Sequence, residues 1–195
     1  YARMNYSFSQ NRLNALTAPV GVSLTALRKY SFSSTFYFVP KFYENFVRTS
    51  INATTGRGYV MHSLLTTEEV LLNRAEAYVM QNKYTEALAD MNTLISTRVN
   101  SYVPATHNLT DARIKTYFAA RTTDAQQAYL LAVLDVKRAE FVHEGMRWMD
   151  ILRLKMPVTH VGIDGTSYEL AANDLRKLWQ LPSEVTLSGV PQNPR

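Results

Sequence analysis

The spacing of apolar residues along the chain changes character near Thr66. Residues 1–60 are rich in Tyr, Phe, Ser, Thr and Asn and hold no sustained helical period. Residues 34–39 (STFYFV) have strand propensity, and Pro40 confines such a strand to an edge or ends it. Residues 52–56 read as a turn. Residues 1–63 are therefore expected to be irregular, with short strands and many aromatic rings.

From Thr66 onward the period is helical. Thr66, Thr67, Glu68 and Glu69 form a capping box, in which a hydroxyl and a carboxylate three residues apart satisfy the first free N–H groups. Val70, Leu71, Ala75, Tyr78 and Val79 then recur at helical spacing. Asn82 and Lys83 break the pattern, and a second helix follows through Ala87, Leu88, Met91, Leu94 and Ile95. The pair is similar to a tetratricopeptide unit: Ala75, Tyr78, Tyr84 and Ala87 occupy its small and aromatic positions, whereas Arg74 and Leu94 depart from it. One such unit cannot bury its own apolar face and must stack on other helices.

Residues 101–110 read as a loop punctuated by Pro104, followed by a short helix over about 111–120. A second cap at 123–126 opens a long helix reaching about Glu144. Residues 128–134 are all apolar and cover its whole circumference, so this helix is expected at the centre of the core. Gly145 ends or bends it before a last helix over 146–155. Residues 157–165 read as loop, and 178–181 as a short extended piece stopped by Pro182. The expected class is mainly α, with tetratricopeptide-like helical hairpins over 64–195 and the irregular, short-strand segment before them.

At 195 residues and 46% hydrophobic, the chain is able to bury one sizeable core. Its longest apolar run is far below membrane-spanning length. Cysteine is absent, which excludes disulfides, thiolate metal sites and cysteine nucleophiles. The net charge is +5, and residues 1–60 hold seven bases (Arg3, Arg12, Arg28, Lys29, Lys41, Arg48, Arg57) against Glu44 alone. Those bases are scattered and no nucleic-acid motif accompanies them, so a solvated basic surface is read, with no nucleic-acid partner.

The densest chemistry lies in residues 137–155, KRAEFVHEGMRWMDILRLK. Arg147, Asp150 and Arg153 follow at intervals of three, and Arg138, Glu140 and Glu144 precede them. On a helix such spacing makes neighbours of opposite charges. Framed by Trp148, Met149 and Ile151, they are read as paired charges near a core, Glu140, Glu144 and Asp150 with Arg138, Arg147 and Arg153, because a lone buried charge is too costly. An acid matched with Arg is a poor general acid. His143-Glu144 starts a zinc-protease H-E-x-x-H, but position 147 is Arg. Glu140-x-x-His143 has the spacing of di-iron bundles, which need two such pairs. There is no G-x-S-x-G elbow and no phosphate-cradling glycine loop. Neither catalysis nor a cofactor is supported.

The same segment closely resembles the signature of the SusD/RagB family, of the form E-R-x-x-E-x-x-x-E-G-x-R-x-x-D-L-x-R. Arg138, Glu144, Gly145, Arg147, Asp150 and Arg153 match it; Lys137 replaces the leading Glu, Glu140 falls one place early and Ile151 stands for Leu. Residues 69–78, with Arg74 and Glu76, resemble the family's "aEvyLiyAEAy" helix. Residues 181–185 and 191–194 resemble its closing "IP..E" and "QNPGY". The resemblance covers about residues 64–195 and implies a SusD-like α/α superhelix, of which this chain is the C-terminal part.

It further implies a non-catalytic, surface-facing lipoprotein of the outer membrane. Such a protein captures an oligosaccharide or similar nutrient and delivers it to a SusC-like TonB-dependent transporter, held by an N-terminal lipid anchor outside this chain. Capture in that family stacks aromatic faces on sugar rings, and Tyr37 and Tyr43 are candidates from composition alone. Two rival readings stand beside it. A helical-repeat scaffold for a protein or peptide explains the tetratricopeptide-like pair but not the E-G-x-R-x-x-D run. A glycosidase domain is disfavoured by the matched acids.

Overall fold

A computed structural model describes residues 18–24, 30, 31, 37, 38, 44–162 and 164–193. The chain divides into two units, Tyr1–His143 and Glu144–Arg195.

Among the described residues of the first unit, two pairs of short strands precede the α-helices. β1 (Tyr30–Ser31) pairs antiparallel with β2 (Tyr37–Phe38), and β3 (Glu44–Arg48) with β4 (Gly56–Val60). The strand expected over 34–39 is thus realised at Tyr37–Phe38, and its first three residues lie outside the described ones. Helix α1 (Thr67–Met80) starts where the capping pattern places it: Thr66 is extended, and its Oγ1 accepts the Glu69 N–H at 3.2 Å. Its buried face is Leu72, Ala75, Glu76 and Val79, whereas Val70 is 66% exposed. The stripe is therefore rotated from the one read off the sequence, because a buried Glu takes one of its places.

Asn82, in the left-handed region at φ 59, turns the chain into α2 (Tyr84–Arg98), which packs on α1. The expected loop at 101–110 contains a helical turn, α3 (Pro104–His107), with Pro104 at its start. Proline lacks an N–H that the first turn does not use and has the φ a helix needs, so it begins this turn instead of breaking it. α4 (Asp111–Phe118) is capped by the Thr110 hydroxyl, which accepts from the Arg113 N–H.

α5 (Ala125–Glu140) is the centre of the unit. Asp124 caps it, accepting from the Gln127 N–H at 2.7 Å. Ala128, Tyr129, Leu131, Ala132, Val133 and Leu134 are buried, as the apolar run predicts. α1, α2 and α4 pack on it, and so does the segment at 18–24, whose Val20, Val22 and Leu24 are buried. α5 stops at Glu140, not near Glu144. A turn with His143 at φ 69 follows, and Gly145 (φ 77) is the left-handed cap that precedes α6.

In the second unit, α6 (Met146–Arg153) is followed by a hairpin where loop was expected: β5 (Val158–Val161) pairs with β6 (Ser167–Leu170). Asp164 closes its turn, one oxygen accepting from the Thr166 N–H (3.0 Å) and the other from its hydroxyl (2.8 Å). Gly165 supplies the positive φ. Residues 178–181 pair with no strand among the described residues. Side-chain bonds hold them instead, Gln180 Oε1 accepting from the Asn193 N–H and Asn193 Nδ2 donating to the Trp179 carbonyl. The architecture is mainly α with short strands.

Candidate functional site

Acids and bases meet inside the first unit at the ends of its helices. Arg98, the last residue of α2, grips Glu140, the last of α5, with two hydrogen bonds: Nε to Oε2 at 2.9 Å and Nη2 to Oε1 at 2.7 Å. The same Nη2 reaches Glu68 in the first turn of α1 at 3.0 Å. One guanidinium thus ties three helices together. The Glu140 side chain is 7% exposed and Arg98 22%. Glu140 raises the Arg98 pKa above that of an ordinary guanidinium. The Glu68 carboxyl is held below its ordinary range, first by its own backbone N–H at the helix start and then by Arg98.

One turn earlier on α5, Lys137 Nζ donates to Glu76 Oε2 on α1 at 2.9 Å, both side chains nearly enclosed. On the outer side of the α1–α2 pair, Arg74 makes a two-pronged contact with Asp90, 2.8 Å at each prong. Arg138 meets Asp135 at 2.7 Å, and the other Asp135 oxygen accepts the Val20 N–H, fastening segment 18–24 to α5. In the second unit Arg153 Nε and Nη2 both donate to Asp150 Oδ1, at 3.0 and 2.6 Å, with Asp150 buried. Glu144 and Arg147 are half-buried.

Asp150 does join Arg153. Glu140 also takes Arg98 as a partner, 42 residues away. Arg98, Lys137, Asp90 and Glu68 were absent from the expected set. No local spacing pairs Arg98 with Glu140, because helix packing creates that contact, not a turn of one helix.

Tyr37 lies in β2, and Tyr43 falls outside the described residues. Tyr129 is buried against Tyr84, with ring centroids 4.6 Å apart, and its hydroxyl donates to Asp111. Burial, then that bond, push its phenol up. Among the described residues no group of His, Asp and Glu has the arrangement to hold a metal ion, and no helix is long and apolar enough to cross a membrane.

The paired charges, the helical hairpins and the order of the motifs coincide with a comparison against protein families. The model of the SusD family matches residues 14–186. The chain belongs to the SusD family. No curated protein and no solved structure matches it. SusD-family proteins are in general nutrient-binding, non-catalytic proteins of the outer-membrane surface. Counted back from Gly145, the first base of the SusD run falls on Lys137, its second acid on Glu140 in register, and its leading acid on Val136. The geometry agrees: Lys137 is the enclosed base that answers Glu76 of the A-E-A segment, whereas Arg138 is 39% exposed.

Proposed function

We propose that this SusD-family chain takes part in capturing an oligosaccharide or related nutrient at the cell surface and handing it to a SusC-like TonB-dependent transporter, without chemistry on the ligand. The observation that supports this reading most is the family match over residues 14–186. Asp90, Glu140 and Asp150 are engaged by Arg74, Arg98 and Arg153 and serve as struts between or along helices. A carboxylate bridged in this way is poorly placed to give up or take a proton during hydrolysis. Ligand contacts are assigned to other positions, with Tyr37 and Tyr43 as stacking rings, since an aromatic face suits the C–H side of a pyranose. An outer-membrane lipid anchor belongs to the same reading.

Calorimetric titration of the chain with a panel of neutral oligosaccharides, followed by chromatography of the sugars, tests it. Saturable binding with intact sugar is the expected result, weakened by Tyr37→Ala or Tyr43→Ala. Cleaved sugar would point to a glycosidase. Binding of peptides but of no carbohydrate would favour a helical-repeat scaffold.

A further inference from the structure

The β3–β4 hairpin presents its apolar side chains outward. Phe46 and Val47 are each 56% exposed, Tyr59 and Val60 nearly half, and Ile51 at the apex 92%. The apex is built to hold that shape. Thr49 and Thr55 close the ribbon, the Thr49 N–H donating to the Thr55 carbonyl at 3.1 Å and the two hydroxyls meeting at 3.3 Å. Inside them the Ala53 N–H donates to the Ser50 carbonyl at 3.1 Å, which makes Ile51 the first corner residue of a tight turn.

Below the apex stand Arg48 and Arg57. Register pairs Arg48 with Gly56 and Arg57 with Val47, so adjacent rungs send one guanidinium to each face of the ribbon. Both are exposed, and neither has an acidic partner among the described residues. Phe46 shares the Arg48 face. Its ring lies across Gly56, where an added Cβ would come within 2.6 Å of it, so the glycine lets this ring lean toward the tip. A single exposed Ile51 at an otherwise polar apex, with a cation on either side and aromatic rings behind, is an arrangement suited to entering a lipid headgroup layer.

We infer that the tip of the β3–β4 hairpin docks on an anionic membrane surface, with Ile51 inserted at the boundary between headgroups and acyl chains and Arg48 and Arg57 on lipid phosphates. A lipid layer is favoured over a protein partner because the apolar group sits at a point, not in a groove, and the two cations flank it on opposite faces. A protein partner contacts one face; a headgroup layer surrounds both.

Flotation of the chain with vesicles tests it. Vesicles of phosphatidylcholine and phosphatidylglycerol in equal parts should carry the protein, and pure phosphatidylcholine vesicles should not. Added salt should weaken the association. Ile51→Asp, and separately Arg48→Glu with Arg57→Glu, should each lower the bound fraction by about tenfold, while melting curves stay at that of the parent because all three side chains are exposed. Failure of the parent chain to float, equal binding to both vesicle types, or full binding by the variants would each overturn the inference. No sugar enters this experiment, so its failure leaves the nutrient-binding proposal standing, and failure of the titration leaves this one.

Discussion

The helical part of the first unit and the β3–β4 hairpin invert each other. Where α1, α2 and α5 meet, charged groups are inside: Glu76, Lys137 and Glu140 are buried. In the hairpin, apolar groups are outside: Phe46, Val47, Ile51, Tyr59 and Val60 face solvent. Both depart from the ordinary partition of polar and apolar residues, and departures are the informative observations. The buried charges are matched and join separate helices, so they act on the fold. Hairpin side chains join nothing comparable in the described structure, so their value lies in what the protein meets. Substitutions in the first region should change stability, and those in the second should change association.

The largest effect is expected at Arg98. Replacing it with Met leaves the enclosed Glu140 without its two-pronged base and frees Glu68 as well, a cost of about 3–5 kcal/mol. Thermal unfolding of Arg98→Met should show a melting temperature lower by roughly 6–20 °C, at about 2–4 °C per kcal/mol for a chain of this size. A melting temperature within a degree or two of the parent would mean that the bridge is incidental.

Lys137 and Glu76 come next and allow the pair to be separated from its parts. Lys137→Met and Glu76→Gln should each destabilise by about 2–4 kcal/mol, while the double variant should cost less than the sum, since neither then leaves an unmatched charge. Strict additivity in urea unfolding would show that the two do not act as a pair. Asp150→Ala in the second unit should cost less, about 1–3 kcal/mol, because Arg153 is 43% exposed and regains water when its partner goes.

Much of this was legible in the sequence, and the failures have physical causes. Thr66 and the cap at 123–126 marked helix starts because capping is a local interaction within four residues. The apolar run 128–134 marked the central helix because no solvent-facing stripe was left. The β5–β6 hairpin was missed even though VTHV and SYEL carry strand-favouring residues, since Pro157 and the glycines around Asp164 read as punctuation of a loop. Pro104 reads as punctuation of a loop, yet it starts a helical turn. The network was half readable: Asp150 and Arg153 lie one helical turn apart, whereas Arg98–Glu140 and Lys137–Glu76 exist only once helices pack. A signature tells which positions matter and not which of them touch.

A smaller effect is expected from acid. The Glu68 carboxyl is held below its ordinary 4.5, and the Asp111 carboxyl, beside Lys115, below its ordinary 3.8. A group with a depressed pKa in the folded state binds its proton more readily once unfolded. Its contribution is therefore complete above those ordinary values and is lost as pH falls through the lower folded ones. Stability measured by urea should thus be level with respect to these groups from neutrality to about pH 5 and decline below it. Glu68→Gln should flatten part of that decline, and an unchanged acid limb would remove Glu68 from the account.

The smallest changes should come from the exposed apolar residues, and they sharpen the comparison most. Val70 sits on α1 two residues before the fully buried Leu72, yet is 66% exposed. Ile51 stands clear at the hairpin apex. Val70→Ser and Ile51→Ser should each shift stability by no more than about 0.5 kcal/mol, whereas Leu72→Ala should cost about 2–5 kcal/mol. The two exposed sites should then part company in flotation with anionic vesicles. Ile51→Ser should weaken binding and Val70→Ser should not, because only the first lies between two cations at the end of a ribbon. Equal loss at both sites would mean that general surface hydrophobicity, not the shape of the hairpin tip, carries the protein to the membrane.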